Sequence, residues 1–165
     1  MPSPKQLTIR EARPEDCQLI IDLIYELADY ERLAHEVEAT PELLQHSLFG
    51  TERCAEALIG EISGEAAGYA IFFTNFSTFT GRPGIYLEDI YVRSRWRSRG
   101  LGKALLKQVA RIAVQRGCAR MEWAVLDWNQ PAIDFYRNLG AQPLTEWVGQ
   151  RLAGQSLTEV AAEHD

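Results

Sequence analysis

The residues with the clearest capacity for chemistry lie between Arg93 and Lys103, in the stretch RSRWRSRGLGK. Four arginines occupy alternate positions there, and two glycines precede the lysine. Residues 90–121 carry nine Lys or Arg and no Asp or Glu, whereas the rest of the chain carries eight basic and 23 acidic residues. Because the formal net charge is −6, this basic segment favours a local anion site over a surface that coats nucleic acid. The alternative is a solvated helix face whose arginines serve solubility alone.

The glycine loop at residues 97–103, RSRGLGK, has four interpretations. A P-loop would need an upstream glycine and a Ser or Thr after the lysine, and both are missing. A Rossmann fingerprint would need a third glycine where Leu105 stands. The glycines can also serve the geometry of a strand-to-helix turn alone. In the fourth interpretation, backbone N–H groups at a helix N-terminus bind a pyrophosphate, with added charge from Arg97, Arg99 and Lys103.

Glu88 is the best candidate for binding or deprotonating a cationic group. It lies on a strongly predicted strand at 85–92, where the period of two places it on one face with Tyr86 and Ile90. Asp89 is then expected on the opposite face. The alternative for Glu88 is a structural salt bridge or an exposed strand position.

Tyr136 is the best candidate proton donor. It follows Asn129 by seven residues, or two helical turns, so both are expected on one helix face. A phenol with a pKa of about 10 stays protonated at neutral pH and can protonate a leaving group. The alternative is an aromatic side chain packed in the core.

These residues require an α/β scaffold, and the pattern predicts one domain over residues 1–165 with a mixed, mostly antiparallel sheet flanked by helices. The predicted order is β-α-α-β-β-β-α-β-α-β-β. Strands are expected at 7–10, 55–61, 68–74, 85–92, 121–126, 144–148 and 150–152. Helices are expected from Pro14, at 41–49, from the glycines to 116, and at 129–140.

Composition excludes several other classes of protein. No apolar run approaches the roughly 20 residues of a membrane span, and the first 12 residues lack the apolar core of a signal peptide. We therefore expect a cytoplasmic location. The three cysteines are widely spaced without a C-x-x-C pair, and the three histidines share no ligand spacing, so neither a disulfide framework nor a metal is expected.

A family resemblance joins these motifs. LEDIYVRSRWRSRGLGKALL, followed by AVLDWNQPAIDFYRNLGAQ, resembles the GNAT superfamily of acetyl-CoA-dependent N-acetyltransferases. IREA, LADYE, GRPGIYLEDIYV and AVLDWNQ are similar to the diamine (spermidine/spermine) acetyltransferase branch, and most to its thialysine N-ε-acetyltransferase type. The resemblance implies the GNAT fold, acetyl-CoA as co-substrate, and direct acetyl transfer to a small primary amine in a ternary complex. It also implies a homodimer, with no nucleic-acid or membrane partner.

The resemblance also implies roles for individual residues. Tyr136 and Glu88 would be catalytic. The cofactor would be bound by Ile90, Tyr91, Val92, Arg97, Ser98, Arg99, Gly100, Leu101, Gly102, Lys103, Asn129, Pro131, Ala132 and Tyr136. The amine would be bound by Tyr30, Glu31, Glu88, Glu122, Trp123 and Ala124.

The charge of the segment before the strand at 85–92 indicates the class of amine substrate. The polyamine enzymes carry an acidic loop here, whereas residues 75–86 of this chain contain no acidic residue. A thialysine- or lysine-like amino acid is therefore favoured over a polyamine, with Arg82 as a possible partner for its carboxylate. Two other functions stay open, namely a protein N-terminal or lysine acetyltransferase and a non-catalytic acyl-CoA-binding regulatory module.

Overall fold

The computed structural model describes residues 6–163, so part of the N-terminal stretch considered above lies outside it. These residues form five strands and five α-helices, with short 3₁₀ turns at Pro14–Asp16, Ala34–Glu36 and Ser94–Trp96. The strands are β1 Leu7–Glu11, β2 Glu56–Ile62, β3 Glu65–Ser77, β4 Arg82–Val92 and β5 Met121–Glu122. The helices are α1 Cys17–Tyr30, α2 Pro41–Phe49, α3 Leu101–Gln115, α4 Gln130–Asn138 and α5 Gly154–Ala162.

The five strands form one sheet in the order β1-β2-β3-β4-β5. The first four run antiparallel to their neighbours, whereas β5 pairs parallel with β4 through Ile85–Met121 and Tyr86–Glu122. The expected mixed, mostly antiparallel sheet flanked by helices is therefore confirmed.

Helices cover both faces of this sheet. The core on one face joins α1 and α2 to the sheet, and its buried members include Ile20, Leu23, Leu48, Ile59 and Tyr69. On the other face, α3 places Leu101 against β2 and β3. A Cβ added at Gly60 would lie 2.6 Å from a Leu101 methyl carbon, so the glycine lets helix and sheet approach closely.

Local sequence signals explain where the first helices begin. Pro14 occupies the first turn that leads into α1, and Pro41 opens α2 after Thr40. The Thr40 hydroxyl accepts a hydrogen bond from the Leu43 N–H at 3.2 Å, which satisfies one of the unpaired amides at the start of the helix. The helix predicted to open at Thr40-Pro41-Glu42 and to end near Phe49-Gly50 is confirmed as Pro41–Phe49.

The chain divides into two compact units at Leu126/Asp127. The first holds the sheet with α1, α2 and α3, and the second holds α4 and α5. The single domain expected over 1–165 stays a prediction. No helix among residues 6–163 combines the length and the apolar character needed to cross a membrane.

Three strand predictions need correction. The strand expected at 121–126 is only Met121–Glu122, and its pairing with β4 ends at Tyr86, two residues before the bulge at Glu88. Residues 144–148 and 150–152 form no strand in the described chain. Their apolar and β-branched side chains favour a strand, but a strand needs a neighbouring backbone edge to pair with. The helix α5, in which the Gln155 and Glu159 side chains are hydrogen-bonded, was not predicted.

Candidate active site

A bulge in β4 sets the geometry of the candidate site. Leu87 pairs with Phe72 of β3 and Asp89 pairs with Ile71, so Glu88 is an extra residue without a partner. Adjacent strand residues point to opposite faces, and residues paired across a ladder share a face. Leu87 and Asp89 therefore lie on opposite faces, although two positions separate them.

The bulge makes the predicted face assignment of β4 wrong. Tyr86 pairs with Phe73, with ring centroids 5.2 Å apart, and so shares the face of Asp89. Ile90 pairs with Ala70 on the opposite face. The alternation of side chains between the two faces fails here, because one inserted residue moves every side chain beyond it to the opposite face. The exposed Glu88 lies at the point of reversal.

Beyond the bulge, β4 has an open edge. The Arg93 N–H donates to the Ala67 carbonyl at 2.8 Å, so Arg93 belongs to the alternate residues of β4 whose backbone groups bond to β3. The backbone groups of Ile90 and Val92 consequently point away from β3. Pairing with β5 ends at Tyr86–Glu122, before these residues. The edge presents the backbone N–H and carbonyl of Ile90 and the N–H of Val92, which suit an extended chain that contains amides, while the Val92 carbonyl accepts from the Arg97 Nε at 3.1 Å.

The glycine loop leads from β4 into α3. Ser98 and Gly100 both have left-handed backbones, with φ of 60° and 85°. The helix begins at Leu101, and its first N–H groups have no carbonyl partner within the helix. These amides and the positive end of the helix dipole create a site for phosphate oxygens.

The basic residues of this segment divide into two groups. Arg93 pairs with Glu26 at 3.0 Å, Arg95 with Glu65 at 2.9 Å and Arg116 with Glu56 at 2.6 Å, while Arg120 pairs with Glu122. By contrast, no carboxylate of residues 6–163 lies within 4.0 Å of the charged groups of Arg97, Arg99 or Lys103. Lys107 and Arg111, farther along α3, also lack an ion pair among residues 6–163, so the charge without a carboxylate partner covers the glycine loop and the helix that follows it.

The two loop arginines rest on aromatic rings. The Arg97 guanidinium carbon lies 4.8 Å from the Tyr30 ring centroid and 5.6 Å from that of Tyr91. Arg99 lies 5.0 Å from the Trp96 ring centroid. The Arg97 Nε also donates to the Val92 carbonyl at 3.1 Å. Tyr30 and Arg97, assigned separately to amine and cofactor from the sequence, are thus in contact.

A group of carboxylates lies beside the bulge on the α1 side of the sheet. Burial raises the pKa of Asp89, the hydrogen bond from the Tyr69 hydroxyl at 2.9 Å opposes this rise, and Glu88 adds to it. Burial and then the charge of Asp89 raise the pKa of Glu31. Clustered carboxylates that resist ionisation would be stabilised by an arriving ammonium group.

Sequence reasoning missed Asp89 and Tyr69. The only available signal was the adjacency of Glu88 and Asp89, and the alternation rule assigned Asp89 to the wrong side. Burial also raises the pKa of Tyr69 well above its ordinary range, with Asp89 as the next cause. The Tyr69 hydroxyl therefore stays protonated and donates to Asp89.

The remaining first-unit predictions have mixed outcomes. Glu122 is paired with Arg120, and Trp123 and Ala124 follow directly after β5. Burial raises the pKa of Tyr86, with smaller contributions from Glu88 and Glu122, so Glu122 is electrostatically close to this region. Arg82 is six residues before Glu88 on β4, about 20 Å along a strand. The pairing of Arg82 with the carboxylate of an amino-acid substrate stays a prediction.

The second unit carries the other predicted residues on α4. Asn129 caps the helix, its Oδ1 accepting from the Ala132 N–H at 3.4 Å, and Pro131 lies in the first turn. Tyr136 is in the same helix, with its ring centroid 5.4 Å from that of Phe135. Hydrogen bonds from the Gly140 and Ala141 amides to the carbonyls of Arg137 and Tyr136 terminate α4. The element that carries Asn129 and Tyr136 is therefore a well-defined, capped helix.

The described residues contain no group of three or more His, Cys, Asp or Glu side chains arranged to hold a metal ion. The first unit carries two clusters of charged side chains near β4. Cations and amides lie on the glycine loop, and carboxylates lie beside Glu88 and at the end of α1.

Comparison with known proteins identifies the family and the fold of this chain. Residues 20–141 match the family model described as acetyltransferase (GNAT) family. The chain is 42% identical over 164 residues to thialysine N-epsilon-acetyltransferase of Mus musculus, covering 93% of this chain and 96% of the relative. It is 32% identical over 197 residues to L-ornithine N5-acetyltransferase of Arabidopsis thaliana, covering 92% and 86%. An integron cassette protein from the mobile metagenome of V. cholerae superposes with a TM-score of 0.80 at 23% identity, covering 97% and 100%.

Proposed function

The chain belongs to the GNAT acetyltransferase family, and from this premise we propose that it transfers acetyl from acetyl-CoA to the side-chain amine of a lysine- or ornithine-like amino acid. The observation that carries the proposal is the presence of two clusters of opposite charge near β4. Cations without a carboxylate partner among residues 6–163 lie on the glycine loop, and carboxylates lie beside Glu88. An acyl donor with phosphates and a cationic acceptor match these two clusters.

The residues around the loop fit coenzyme A. Its pantetheine arm is an extended chain with amides, and the backbone groups of Ile90 and Val92 present complementary donors and acceptors along the open edge of β4. Its pyrophosphate suits the amides of Ser98–Lys103 with the charges of Arg99 and Lys103. When bound, acetyl-CoA supplies an acetyl thioester. In the same proposal Asn129, Pro131 and Ala132 contact it from the start of α4.

Glu88 prepares the amine for attack. An alkylamine has a pKa of about 10.4 and arrives as an ammonium ion, which the carboxylates of Glu31, Glu88 and Asp89 attract. Glu88, exposed at the bulge, accepts the proton directly or through water. The neutral nitrogen then attacks the acetyl carbonyl, and the carbon–sulfur bond breaks.

Tyr136 completes the reaction by proton donation. Its hydroxyl protonates the departing thiolate, and the second proton that the nitrogen loses as the amide forms restores the Tyr136 hydroxyl. The proton taken earlier by Glu88 returns to solvent, so that charge balances over the cycle. The transfer is direct within a ternary complex, without an acyl-enzyme intermediate. Tyr30 and Glu31, at the end of α1, help to bind the amine.

The absence of acidic residues from 75–86 supports an acceptor with one side-chain amine rather than a polyamine. A polyamine presents several charges along its length, whereas the carboxylates described above cluster at one point of β4. The names of the mouse and Arabidopsis relatives, which refer to amino acids, favour the same class. The proposal includes the cytoplasmic location and the homodimer, and light scattering of the purified protein tests the latter.

Steady-state acetylation of a panel of amines decides the substrate class. Thialysine, lysine, ornithine and spermidine are compared at saturating acetyl-CoA, with release of free thiol as the signal. We expect higher kcat/KM for the amino acids than for spermidine. A marked preference for spermidine would contradict the substrate class, and acetyl-CoA binding without turnover of any amine would contradict the enzymatic proposal.

A further inference from the structure

The Arg97 side chain connects two parts of the first unit that sequence motifs assigned to different ligands. Its guanidinium carbon lies 4.8 Å from the ring centroid of Tyr30, the last residue of α1, and 5.6 Å from that of Tyr91 on β4. Its Nε donates to the Val92 carbonyl at 3.1 Å. No carboxylate of residues 6–163 lies within 4.0 Å of it, so aromatic rings and a carbonyl hold this cation.

The segment that Arg97 contacts ends in an irregular turn. Glu31 caps the C-terminus of α1, and Arg32 has a left-handed backbone with φ of 62°. Helix ends fray readily unless tertiary contacts hold them. The position of the Glu31 carboxyl beside Asp89 therefore depends on what fixes Tyr30 against β4.

A second attachment lies one turn earlier on α1. Glu26 pairs with Arg93 at 3.0 Å and accepts a hydrogen bond from the Tyr91 hydroxyl at 3.4 Å. Tyr91 thus contacts both Glu26 and Arg97. This pair anchors the helix body, whereas Arg97 contacts its final residue.

We propose that Arg97 is a positioning residue for the amine: it holds Tyr30, and with it Glu31, against β4, in addition to lying in the loop that binds coenzyme A. This inference rests on the proposed function, because it concerns how the amine site of that enzyme is held. It separates Arg97 from Arg99, whose ring contact is with Trp96 inside the loop segment. Arg97 therefore links the occupancy of the loop to the geometry of the acceptor site.

The first test compares Arg97→Gln with the matched control Arg99→Gln, which removes one charge from the same loop. Each cation–π contact at an exposed site contributes a factor of about two to five, so we expect Arg97→Gln to raise KM for the amine about three- to tenfold. Arg99→Gln is expected to raise KM for acetyl-CoA and leave KM for the amine within about twofold. A rise in KM for acetyl-CoA alone in both variants would overturn the inference.

The second test asks whether Arg97 acts through Tyr30. In a Tyr30→Leu background, Arg97→Gln should raise KM for the amine by less than about twofold, because the ring it positions is already gone. Independent effects that multiply would overturn the inference. Arg97→Lys, which keeps a cation over the rings, should restore KM for the amine to within about threefold of the wild type, and an effect as large as that of Gln would also count against the inference.

The two proposals fail in distinguishable ways. If the wild-type protein acetylates no amine in the panel, the proposed function fails. If the wild type acetylates an amino acid and Arg97→Gln leaves KM for that amine unchanged, only the role of Arg97 fails. Because Arg97 is exposed, thermal unfolding of its variants is expected to stay close to that of the wild type.

Discussion

Replacing Asp89 with Asn is expected to make the protein more stable and the enzyme less active. The carboxylate is partly buried and accepts a hydrogen bond from the fully buried Tyr69 at 2.9 Å. Asn has nearly the same shape and keeps an oxygen that can accept this bond. The substitution therefore removes a charge with little change in packing.

Two opposing terms set the size of the change. A hydrogen bond to a charged acceptor contributes about 1.5–3 kcal/mol and one to a neutral acceptor about 0.5–1.5 kcal/mol, so weakening the Tyr69 bond costs roughly 1 kcal/mol. The raised pKa of Asp89 shows that burial and the repulsion from Glu88 outweigh the existing bond. Asp89 also raises the pKa of Glu31, and removal of its charge relieves that repulsion. Since the net shift of the Asp89 pKa is upward, we expect a net gain in stability at neutral pH, and each kcal/mol gained would raise Tm by about 2–4 °C for a chain of this size.

The sign of the pH dependence follows from proton linkage. Because the pKa of Asp89 is higher in the folded protein than the ordinary 3.8, the folded state binds more protons between those two values. Stability of the wild type therefore falls as pH rises through this window. The advantage of Asp89→Asn should vanish below about pH 4 and be complete once pH exceeds the raised pKa.

Thermal unfolding from pH 4 to pH 8 measures this effect, and kcat/KM for the amine measures its cost. We expect kcat/KM to fall about tenfold, since the variant loses a charge-assisted contact to the ammonium. The neighbouring Glu88→Gln, at an exposed position, should leave Tm nearly unchanged while activity falls. A variant of Asp89 that is destabilised equally at pH 4 and pH 7 would refute the argument from buried charge.

Three further outcomes are expected. Tyr136→Phe should lower kcat about 10²–10⁴-fold with acetyl-CoA affinity retained, and full activity would remove Tyr136 as the proton donor. Arg99→Gln should weaken acetyl-CoA binding and its salt dependence in titrations, whereas Arg93→Gln, which breaks the pair with Glu26, should act mainly on Tm. Leu105→Ala, at a fully buried position of α3, should lower the free energy of unfolding by about 2–5 kcal/mol in urea titrations, and a loss below 1 kcal/mol would contradict its place in the core.

Local signals in the sequence were sufficient for most elements of the first unit. The Thr-Pro-Glu start of α2 and the apolar periodicity of α3 act within a few residues, so they predict helices without knowledge of the rest of the fold. The strands predicted at 144–148 and 150–152 failed because a strand is a property of two backbone edges. Their side chains favour the extended conformation of a strand, but they do not provide a neighbouring strand with which to pair.

The candidate site also combines features that local sequence signals predict with features that depend on tertiary contacts. The charge pattern of residues 90–121 was visible in sequence order, but which arginines keep their charge available depends on Glu26, Glu65 and Glu56, which lie far away in the chain. Tertiary pairing neutralises Arg93, Arg95 and Arg116 and leaves the arginines of the glycine loop without a carboxylate partner among residues 6–163. The sequence therefore predicts a basic segment, and the fold decides which of its charges stay available, namely those of the glycine loop and of Lys107 and Arg111 on α3.

The β4 bulge shows why the acidic half of the site was harder to predict. A bulge exists only in the register between two strands, and no residue type at 87–89 signals it. One unpaired residue nevertheless ends the pairing with β5, exposes the edge at Ile90 and Val92, and turns Asp89 toward Tyr69. The open edge and the carboxylate cluster thus have a single structural cause. Both proposed ligands meet at β4 because its ladder is interrupted at Glu88.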